Sequence, residues 1–387
     1  MVKKMIYNDL ITHNKILSYL QSTIKNNTIP NAFLFYGQKG IGKIAYAIEF
    51  SASLLCLNPI DNWSCGQCNS CMKIKNNQHG NINYILPTRN KNNSKNDTLL
   101  GKEEIDLIQN NMTEKLKNPY HDISDKKIQS IPIKSIREIR KKISLGSLTD
   151  SYNINIITEA EKLCFPRQEA ANALLKILEE PNEKNLFILC TSNFSKMIDT
   201  ISSRCIKLHF PNLDIISMQS YLIEKYNINH KKADVISNIS NGDMIFANEI
   251  SDKFENLMKD LENSINIILE KNINEWMKFI AKFRNDNYSF ILILDLIELF
   301  FSDLIILKTT QNYDNIKLKN FIEKINFCSE KYADVDWSKC ITLLNDCKNN
   351  INKNAYFNFV TTGLILELNK IFMKDSFLID ELNQYQL

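Results

Sequence analysis

A glycine-rich turn near the amino end of the sequence has the composition of a phosphate-binding loop. Gly37, Gly42 and Lys43 fit the spacing G-x-x-x-x-G-K, and Gly40 adds a further flexible point inside it. Glycines let backbone N–H groups turn toward phosphate oxygens, and the start of the following helix adds positive potential. Lys43 would reach the outer phosphates, so ATP is the ligand that the loop predicts. The next position usually carries a Ser or Thr hydroxyl that holds magnesium, but here it is Ile44.

A second predicted strand ends in residues that bear on the same chemistry. The β-rich run from Tyr152 to Thr158 continues into Glu159. In P-loop proteins that hydrolyse nucleotides, an Asp at this strand end orders the magnesium shell, and the next residue aligns the attacking water. Here Thr158 replaces the Asp, while Glu159 remains. Because Ile44 and Thr158 have both lost a magnesium ligand, the sequence predicts a nucleotide site that is vestigial or limited to binding.

Thr191 and Arg204 are two further candidates beyond this strand. A buried strand predicted at 185–190 leads into Thr191, and a polar side chain at the carboxyl edge of such a strand can sense a γ-phosphate. Arg204 lies in the run Ser203-Arg204-Cys205. An isolated arginine is usually a surface residue, so its residue type alone assigns it no role.

A cysteine cluster follows the predicted phosphate loop and its helix. Its spacing is C-x8-C-x2-C-x2-C, formed by Cys56, Cys65, Cys68 and Cys71. Four thiolates clustered this tightly fit a closed tetrahedral zinc site. Incidental cysteines rarely recur at this spacing in a polar loop, and an iron–sulfur cluster is the weaker alternative, because nothing else in the sequence suggests redox chemistry. No further ligand or acid stands out nearby, so we predict a zinc ion with a structural role.

The length and charge of the chain limit the classes of protein to which it can belong. A chain of 387 residues suggests two or three domains. Lys plus Arg (47) barely exceeds Asp plus Glu (44), so the overall charge does not point to nucleic acid. The most apolar stretch, 290–307, is interrupted by Asp295, Glu298 and Asp303, and the amino-terminal residues lack the apolar core of a signal peptide. We therefore expect a soluble, cytoplasmic protein with no membrane segment and with reduced or metal-bound cysteines.

Hydrophobic periodicity places the candidate residues in an α/β region that is followed by helices. A helix and a strand precede the glycine-rich turn, and a polar insertion rich in Asn and Lys spans 88–130, with a short helix near 105–112. The run EAANALLKILEEP at 169–181 predicts another helix. The strand signal fades after Leu213, where we predict three short helices up to residue 250 and a nearly continuous helical pattern beyond it.

In this order, the motifs resemble the clamp-loader branch of the AAA+ ATPases, to which the gamma/tau and delta-prime subunits of bacterial DNA polymerase III belong. The resemblance covers nearly all of residues 10–250. It rests on the phosphate loop, the four cysteines, NALLKILEEP at 172–181 and SSRC at 202–205. The last two motifs are much more specific than a phosphate loop alone.

The resemblance implies three domains. Residues 1–211 would form an α/β P-loop AAA+ domain with a parallel sheet, which carries the four-cysteine zinc module (56–71) and the polar insertion (88–130). A small helical lid domain (212–250) and an all-α collar domain for oligomerisation (251–387) would follow.

Within this family, the departures from the motif pattern resemble delta prime. Gamma/tau-like subunits keep a Ser or Thr after the loop lysine and an Asp-Glu pair on the second strand. The lid also lacks the arginine that hydrolysing relatives place near its third helix, where Gly242-Asp243-Met244 stands instead. The insertion ending in NPY at 118–120 resembles delta-prime subunits of the Bacteroidetes group. By this resemblance, Arg204 would act in trans, as an arginine finger toward the γ-phosphate held by a neighbouring subunit.

The function that this resemblance implies is assembly in DNA replication. The chain would be a non-hydrolysing clamp-loader subunit that acts with gamma/tau- and delta-like subunits to place a sliding clamp on primed DNA. One alternative is an ATP-hydrolysing, gamma/tau-like subunit, since magnesium can be held largely by phosphate oxygens and water. Another alternative is a zinc-containing nucleic-acid-binding module that acts alone.

Overall fold

The structure of the protein is a computed structural model that describes residues 5–88, 100–124, 128, 130–144, 151–165, 167–181 and 183–384. Parts of the predicted polar insertion, namely 89–99, 125–127 and 129, lie outside the described residues. The strands are β1 (Ala32–Tyr36), β2 (Ile82–Ile85), β3 (Asn153–Ile157), β4 (Asn185–Thr191) and β5 (Ile206–His209). The α-helices are α1 (Asn14–Lys25), α2 (Lys43–Leu55), α3 (Asn69–Lys75), α4 (Lys102–Lys117), α5 (Ile133–Ser144), α6 (Glu169–Glu179), α7 (Asp199–Ser202), α8 (Ile215–Tyr226), α9 (His230–Ser240), α10 (Met244–Leu269), α11 (Ile273–Ala281), α12 (Asn287–Thr310), α13 (Ile322–Lys331), α14 (Trp337–Asn352) and α15 (Phe357–Gln384).

The described strands form one parallel sheet in the order β2-β3-β4-β1-β5. Parallel strands are covered on both faces and therefore read as apolar runs, as in the AFLFY sequence of β1, where Phe33, Leu34 and Phe35 are fully buried. The predicted α/β fold with a parallel sheet is thus confirmed. Since all strands run the same way, the residues after β1, β3 and β4 meet at one edge of the sheet, where ligands bind in open α/β folds.

One face of the sheet is covered by α5 and α6. The predicted apolar stripe of α5, Ile136, Ile139 and Ile143, is buried in the same cluster as Leu174 and Ile177 of α6.

Residues 100–124 of the insertion contain a longer helix than the sequence predicted. The predicted short helix near 105–112 extends over Lys102–Lys117 in α4. Glu104 caps its amino end by accepting a hydrogen bond from the Gly101 N–H at 2.7 Å. The segment that follows α4 contains the NPY run, and its Tyr120 is 2% exposed.

The chain forms two compact units, Met1–Tyr221 with Asn241–Asn248 and Leu222–Ser240 with Glu249–Leu387. The last of the three short helices predicted up to residue 250 is instead the start of the 26-residue α10, Met244–Leu269. No Gly or Pro interrupts this run, so nothing in its sequence ends the helix at residue 250. The division into three domains at 211 and 250 stays a prediction.

In the second unit, α12 accommodates the three acidic residues that interrupt its apolar run. Asp303 is fully buried and accepts hydrogen bonds from the backbone N–H groups of Lys317 and Leu318 at 3.1 and 2.8 Å. Asp295 and Glu298 both pair with the ammonium group of Lys348. These contacts fit a helix buried in a helical unit. Among the described residues, no helix combines the length and the apolar composition needed to cross a bilayer.

We expect Asp303→Ala to lower the free energy of unfolding of this unit by about 2–4 kcal/mol, because two buried N–H groups would lose their acceptor. Chemical denaturation of the purified chain measures the change, and Asp314→Ala at an exposed position is the matched control. Equal stabilities of the two variants would contradict the role given to Asp303.

Candidate nucleotide cleft and cysteine cluster

The predicted phosphate loop joins β1 to α2 at the carboxyl edge of the sheet. Gly40 and Gly42 have φ angles of +76° and +93°, which side chains other than glycine rarely adopt. A Cβ atom at Gly40 would also lie 1.7 Å from a carboxylate oxygen of Asp243, so only glycine fits there. Gly42 precedes the first residue of α2, and the loop therefore has the strand–turn–helix setting that a phosphate-binding loop requires.

Lys43 begins α2 and is 6% exposed. Its ammonium group donates to the carbonyl oxygens of Gly37 and Gln38 at 2.8 and 2.5 Å and to the hydroxyl oxygen of Ser192 at 3.2 Å. All three acceptors are neutral. Burial lowers the pKa of Lys43 to about 8.

The two positions that should hold magnesium have different surroundings. Ile44 lines a cavity of about 210 Å³, here called the cleft. Thr158 is fully buried, its hydroxyl has no hydrogen-bond partner among the described residues, and it does not line the cleft. Neither residue therefore offers an oxygen to a metal ion in the cleft.

Glu159 lines the cleft, whereas Thr191 is buried beside it and does not line it, and both side chains already have partners. The Glu159 carboxylate pairs with Lys162 at 2.6 Å, and burial raises the pKa of Glu159. The Thr191 hydroxyl donates to Glu161 at 2.6 Å and accepts from the Asn193 N–H at 3.1 Å. The structure thus brings the strand ends together, with their polar groups bonded to residues of the same chain.

Asp243 stands against the phosphate loop at the position where the expected lid arginine is absent. It caps α10 by accepting hydrogen bonds from the N–H groups of Ile245 and Phe246 at 2.9 and 3.1 Å. The Met244 N–H donates to the Gly40 carbonyl at 3.3 Å. Burial raises the pKa of Asp243, and a carboxyl group here does not attract phosphate as an arginine would.

The segment 115–124 also lines the cleft, and the sequence did not assign it a role. Tyr120 accepts a hydrogen bond from the Ile11 N–H at 2.9 Å, and Asp122 pairs with Lys39 of the phosphate loop at 2.7 Å. Lys115 is 4% exposed. The sequence could have predicted that Lys115 is buried, because Lys115 shares a face of the otherwise polar helix α4 with Met112 and Leu116.

Arg204 follows α7 and lies outside the residues that line the cleft. Its guanidinium donates to the Thr200 carbonyl at 2.8 Å and pairs with Glu179 at 2.7 Å, and its side chain is 37% exposed. Glu179 belongs to the LEEP end of α6, so the two most specific sequence motifs touch each other. The guanidinium is held at the surface of its own unit.

The four predicted cysteines converge on one point. Their sulfur atoms all lie within 4.8 Å of one another, and three pairs are 3.7, 3.9 and 4.0 Å apart. A tetrahedral zinc site with Zn–S bonds of about 2.3 Å places its sulfurs about 3.8 Å apart. The cluster therefore has the donor set and the spacing of a site that could hold a metal ion.

The cysteine loop is packed against the rest of its unit through the buried Glu49 of α2. Glu49 accepts hydrogen bonds from the Tyr7 N–H at 2.7 Å and from the hydroxyl of Ser64, next to Cys65, at 3.0 Å. A Cβ atom at Gly66 would lie 2.4 Å from the Met5 carbonyl, so the loop and the amino-terminal segment are in close contact.

The chain is similar to known subunits of DNA polymerase III. It is 28% identical over 334 residues to the delta' subunit of Buchnera aphidicola subsp. Schizaphis graminum, a match that covers 81% of this chain and 84% of the relative. It is 26% identical over 214 residues to the tau/gamma subunit of Haemophilus influenzae, a match that covers 55% of this chain but only 25% of that subunit. A solved gamma-subunit-related protein of Thermotoga maritima covers 92% of this chain and 99% of its own, with 15% identity and a TM-score of 0.41.

The family model described as "DNA polymerase III, delta subunit" matches residues 12–214, which is just over half of the chain. The matched region contains the phosphate loop, the four cysteines and the Ser-Arg-Cys run. The expected origin in the Bacteroidetes group stays a prediction. By the extent of this match, the chain belongs to the DNA polymerase III delta subunit family of clamp-loader proteins.

Proposed function

We propose that this chain is a non-hydrolysing, delta-prime-like subunit that helps a DNA polymerase III clamp loader place the sliding clamp on primed DNA. The observation that carries the proposal is the loss of both magnesium ligands. Ile44 presents an apolar side chain to the cleft, and Thr158 is buried away from it. Without these oxygens, the protein supplies no ordered metal ion to neutralise the charge on a transferred phosphoryl group.

The remaining groups at the cleft support the same conclusion. Glu159 would have to align the attacking water, but its carboxylate is paired with Lys162. The carboxylate of Asp243 lies against the phosphate loop at Gly40 and adds no positive charge there. The site can therefore retain the shape of a phosphate loop and still lack the means of hydrolysis.

The proposed contribution of this chain to catalysis is Arg204, offered in trans to an ATP-hydrolysing neighbour. Its guanidinium is exposed and directed by Glu179 and the Thr200 carbonyl. The proposed partners are gamma/tau- and delta-like subunits, with the clamp and primed DNA bound by the assembled complex. The proposed metal is one structural zinc ion on the four cysteines.

An ATPase measurement tests the proposal. We expect the isolated chain to show no Mg-ATP turnover above a buffer control. Addition of the chain to ATP-hydrolysing clamp-loader subunits from the same organism should stimulate their turnover and allow clamp loading on primed DNA. If the complex loads clamps equally well without this chain, the proposed role is wrong.

The second candidate is a gamma/tau-like ATPase, which the similarity to the tau/gamma subunit of Haemophilus influenzae keeps open. Turnover by the isolated chain that Lys43→Ala abolishes would establish this candidate and overturn the first one. Lys117→Ala, at an exposed lysine outside the cleft, is the matched control.

A further inference from the structure

The insertion places a buried lysine in the cleft, and nothing in the motif pattern accounts for it. Lys115 lies in the last turn of α4 with 4% of its surface exposed, whereas Lys117, two residues later, pairs with Glu114 at the surface. Lysine is rarely buried unless its charge is paired. The burial of Lys115 therefore requires an explanation.

Lys115 lines the same cavity as Lys43. Its ammonium group has three N–H donors, and within the part of the chain that the structure describes it makes one hydrogen bond, to the carbonyl oxygen of His121 at 2.8 Å. Lys43 likewise donates only to neutral oxygens. Two lysines thus line one small cavity, and neither ammonium group is within ion-pair distance of a carboxylate of the described residues.

The carboxylates near the cleft are engaged elsewhere. Asp122 pairs with Lys39, Glu159 pairs with Lys162, and Glu161 accepts the Thr191 hydroxyl. Asp243, beside Gly40, accepts two backbone N–H groups at the start of α10. Their bonds leave Lys43 and Lys115 as the two cations of the cleft without an anionic partner. Burying a charge without a partner is costly and favours the neutral amine, and a bound anion would stabilise the charged ammonium form instead.

We propose that Lys115 and Lys43 together bind the phosphate oxygens of a polyphosphate group without magnesium. Lys115 provides the positive charge that a magnesium ion provides in P-loop sites that keep both metal ligands. The inference goes beyond the proposed function, because it concerns ligand binding by the isolated chain and does not depend on hydrolysis or assembly. It also gives the carboxyl half of the insertion a role in the cleft.

The size of the cavity limits the ligand. Its volume of about 210 Å³ is below the range of about 300–1,000 Å³ that is typical of pockets for drug-sized ligands. Pro119 and Tyr120 line the cavity, so a nucleoside would require them to move. Inorganic pyrophosphate fits the proposal without such movement, whereas ATP would bind through its phosphates only if this segment opens.

Isothermal titration calorimetry of the full chain in EDTA, with pyrophosphate and then with ATP, tests the proposal. We expect pyrophosphate to bind and Lys115→Met to weaken this binding about ten- to hundredfold, since hydrogen bonds to charged groups contribute about 1.5–3 kcal/mol. Lys117→Met is the matched control and should bind like the unchanged protein. If ATP binds without magnesium while pyrophosphate does not, and Lys115→Met abolishes this binding, the result would also support the proposal. It would identify a nucleotide as the source of the phosphates.

A measurement on the unchanged protein avoids any dependence on the folding of a variant. Burial lowers the pKa of Lys115 to about 7, while Asp122 and Cys190 raise it and Lys43 and Lys39 lower it further. His121, whose pKa is also lowered by burial, is neutral at pH 8. At pH 8 the free protein holds Lys115 mostly neutral, so an anion that raises its pKa must cause proton uptake.

Titrations at pH 8 in two buffers of different ionisation enthalpy measure that uptake. We expect it to exceed about one proton per bound anion, because Lys43, with a pKa of about 8, takes up part of a proton in addition to that of Lys115. Uptake of about half a proton or less, which Lys43 alone can supply at pH 8, would overturn the assignment of Lys115. Binding that requires magnesium, or no binding of either ligand at millimolar concentration, would overturn the proposal as a whole. A Lys115→Met variant that folds and binds like the unchanged protein would do the same.

Discussion

In an assembled clamp loader, Arg204→Ala is expected to lower the ATPase rate by about 10³-fold or more. An arginine finger neutralises charge that develops on the transferred phosphoryl group, and its removal costs about 10³–10⁵ in rate. Arg204 is 37% exposed at the surface of its unit and is held by Glu179 and the Thr200 carbonyl, so the substitution removes little internal packing. Steady-state ATPase with clamp and primed DNA measures the effect.

Two further variants separate the role of the guanidinium from that of charge in general. Arg204→Lys keeps a positive charge but loses the planar fork, and we expect it to recover little of the rate. Arg167→Ala removes an arginine whose side chain is 81% exposed, and its ATPase should be unchanged. Size-exclusion chromatography must show that each variant still assembles. An assembled Arg204→Ala complex with full turnover would contradict the finger assignment.

Removal of the metal is the second change from which we expect a large effect. Structural zinc sites contribute apparent binding free energies of about 10–16 kcal/mol in zinc-finger peptides. Here the cysteine loop contacts the amino-terminal segment at Gly66 and Met5 and is tied to α2 through Ser64 and Glu49. Loss of the metal should therefore loosen these contacts as well as the loop itself.

We expect Cys65→Ser to abolish the binding of one zinc ion per chain and to lower the Tm of the first unit by about 10 °C or more, since each 1 kcal/mol corresponds to about 2–4 °C for 150–250 residues. Elemental analysis and differential scanning calorimetry measure the two quantities. Cys164→Ser, at a half-exposed cysteine outside the cluster, should retain the zinc. Iron with visible absorbance in the purified protein would establish the iron–sulfur alternative instead.

The motifs with short, regular spacing were predictable from the sequence because local geometry decides them. The loop around Lys43 is a turn between a strand and a helix, and the spacing of its glycines is enough to place it. Three of the four cysteines lie within seven residues of one another, so a turn brings them together without help from the rest of the fold. The parallel sheet follows from apolar runs that alternate with helices.

The helical region was less predictable because periodicity does not mark where one helix ends. The run that forms α10 lacks Gly and Pro, so only packing decides that the helix continues to Leu269. The sequence likewise does not mark the end of α4 at Lys117, because the helix is mostly polar there and its apolar face is narrow. In both helices the sequence pattern indicates the end of the helix only weakly, and long-range contacts determine where the helix ends.

The sequence by itself determined the family, the phosphate loop, the cysteine cluster and the absence of magnesium ligands at Ile44 and Thr158, because each depends on residue types at short spacing. Only the tertiary structure decided what fills the cleft. Asp243 reaches Gly40 and Lys115 reaches the cavity of Lys43 across about 200 and 70 residues of chain, respectively. Such contacts arise from the packing of distant segments, and that packing places two buried lysines in a cleft that lacks metal ligands.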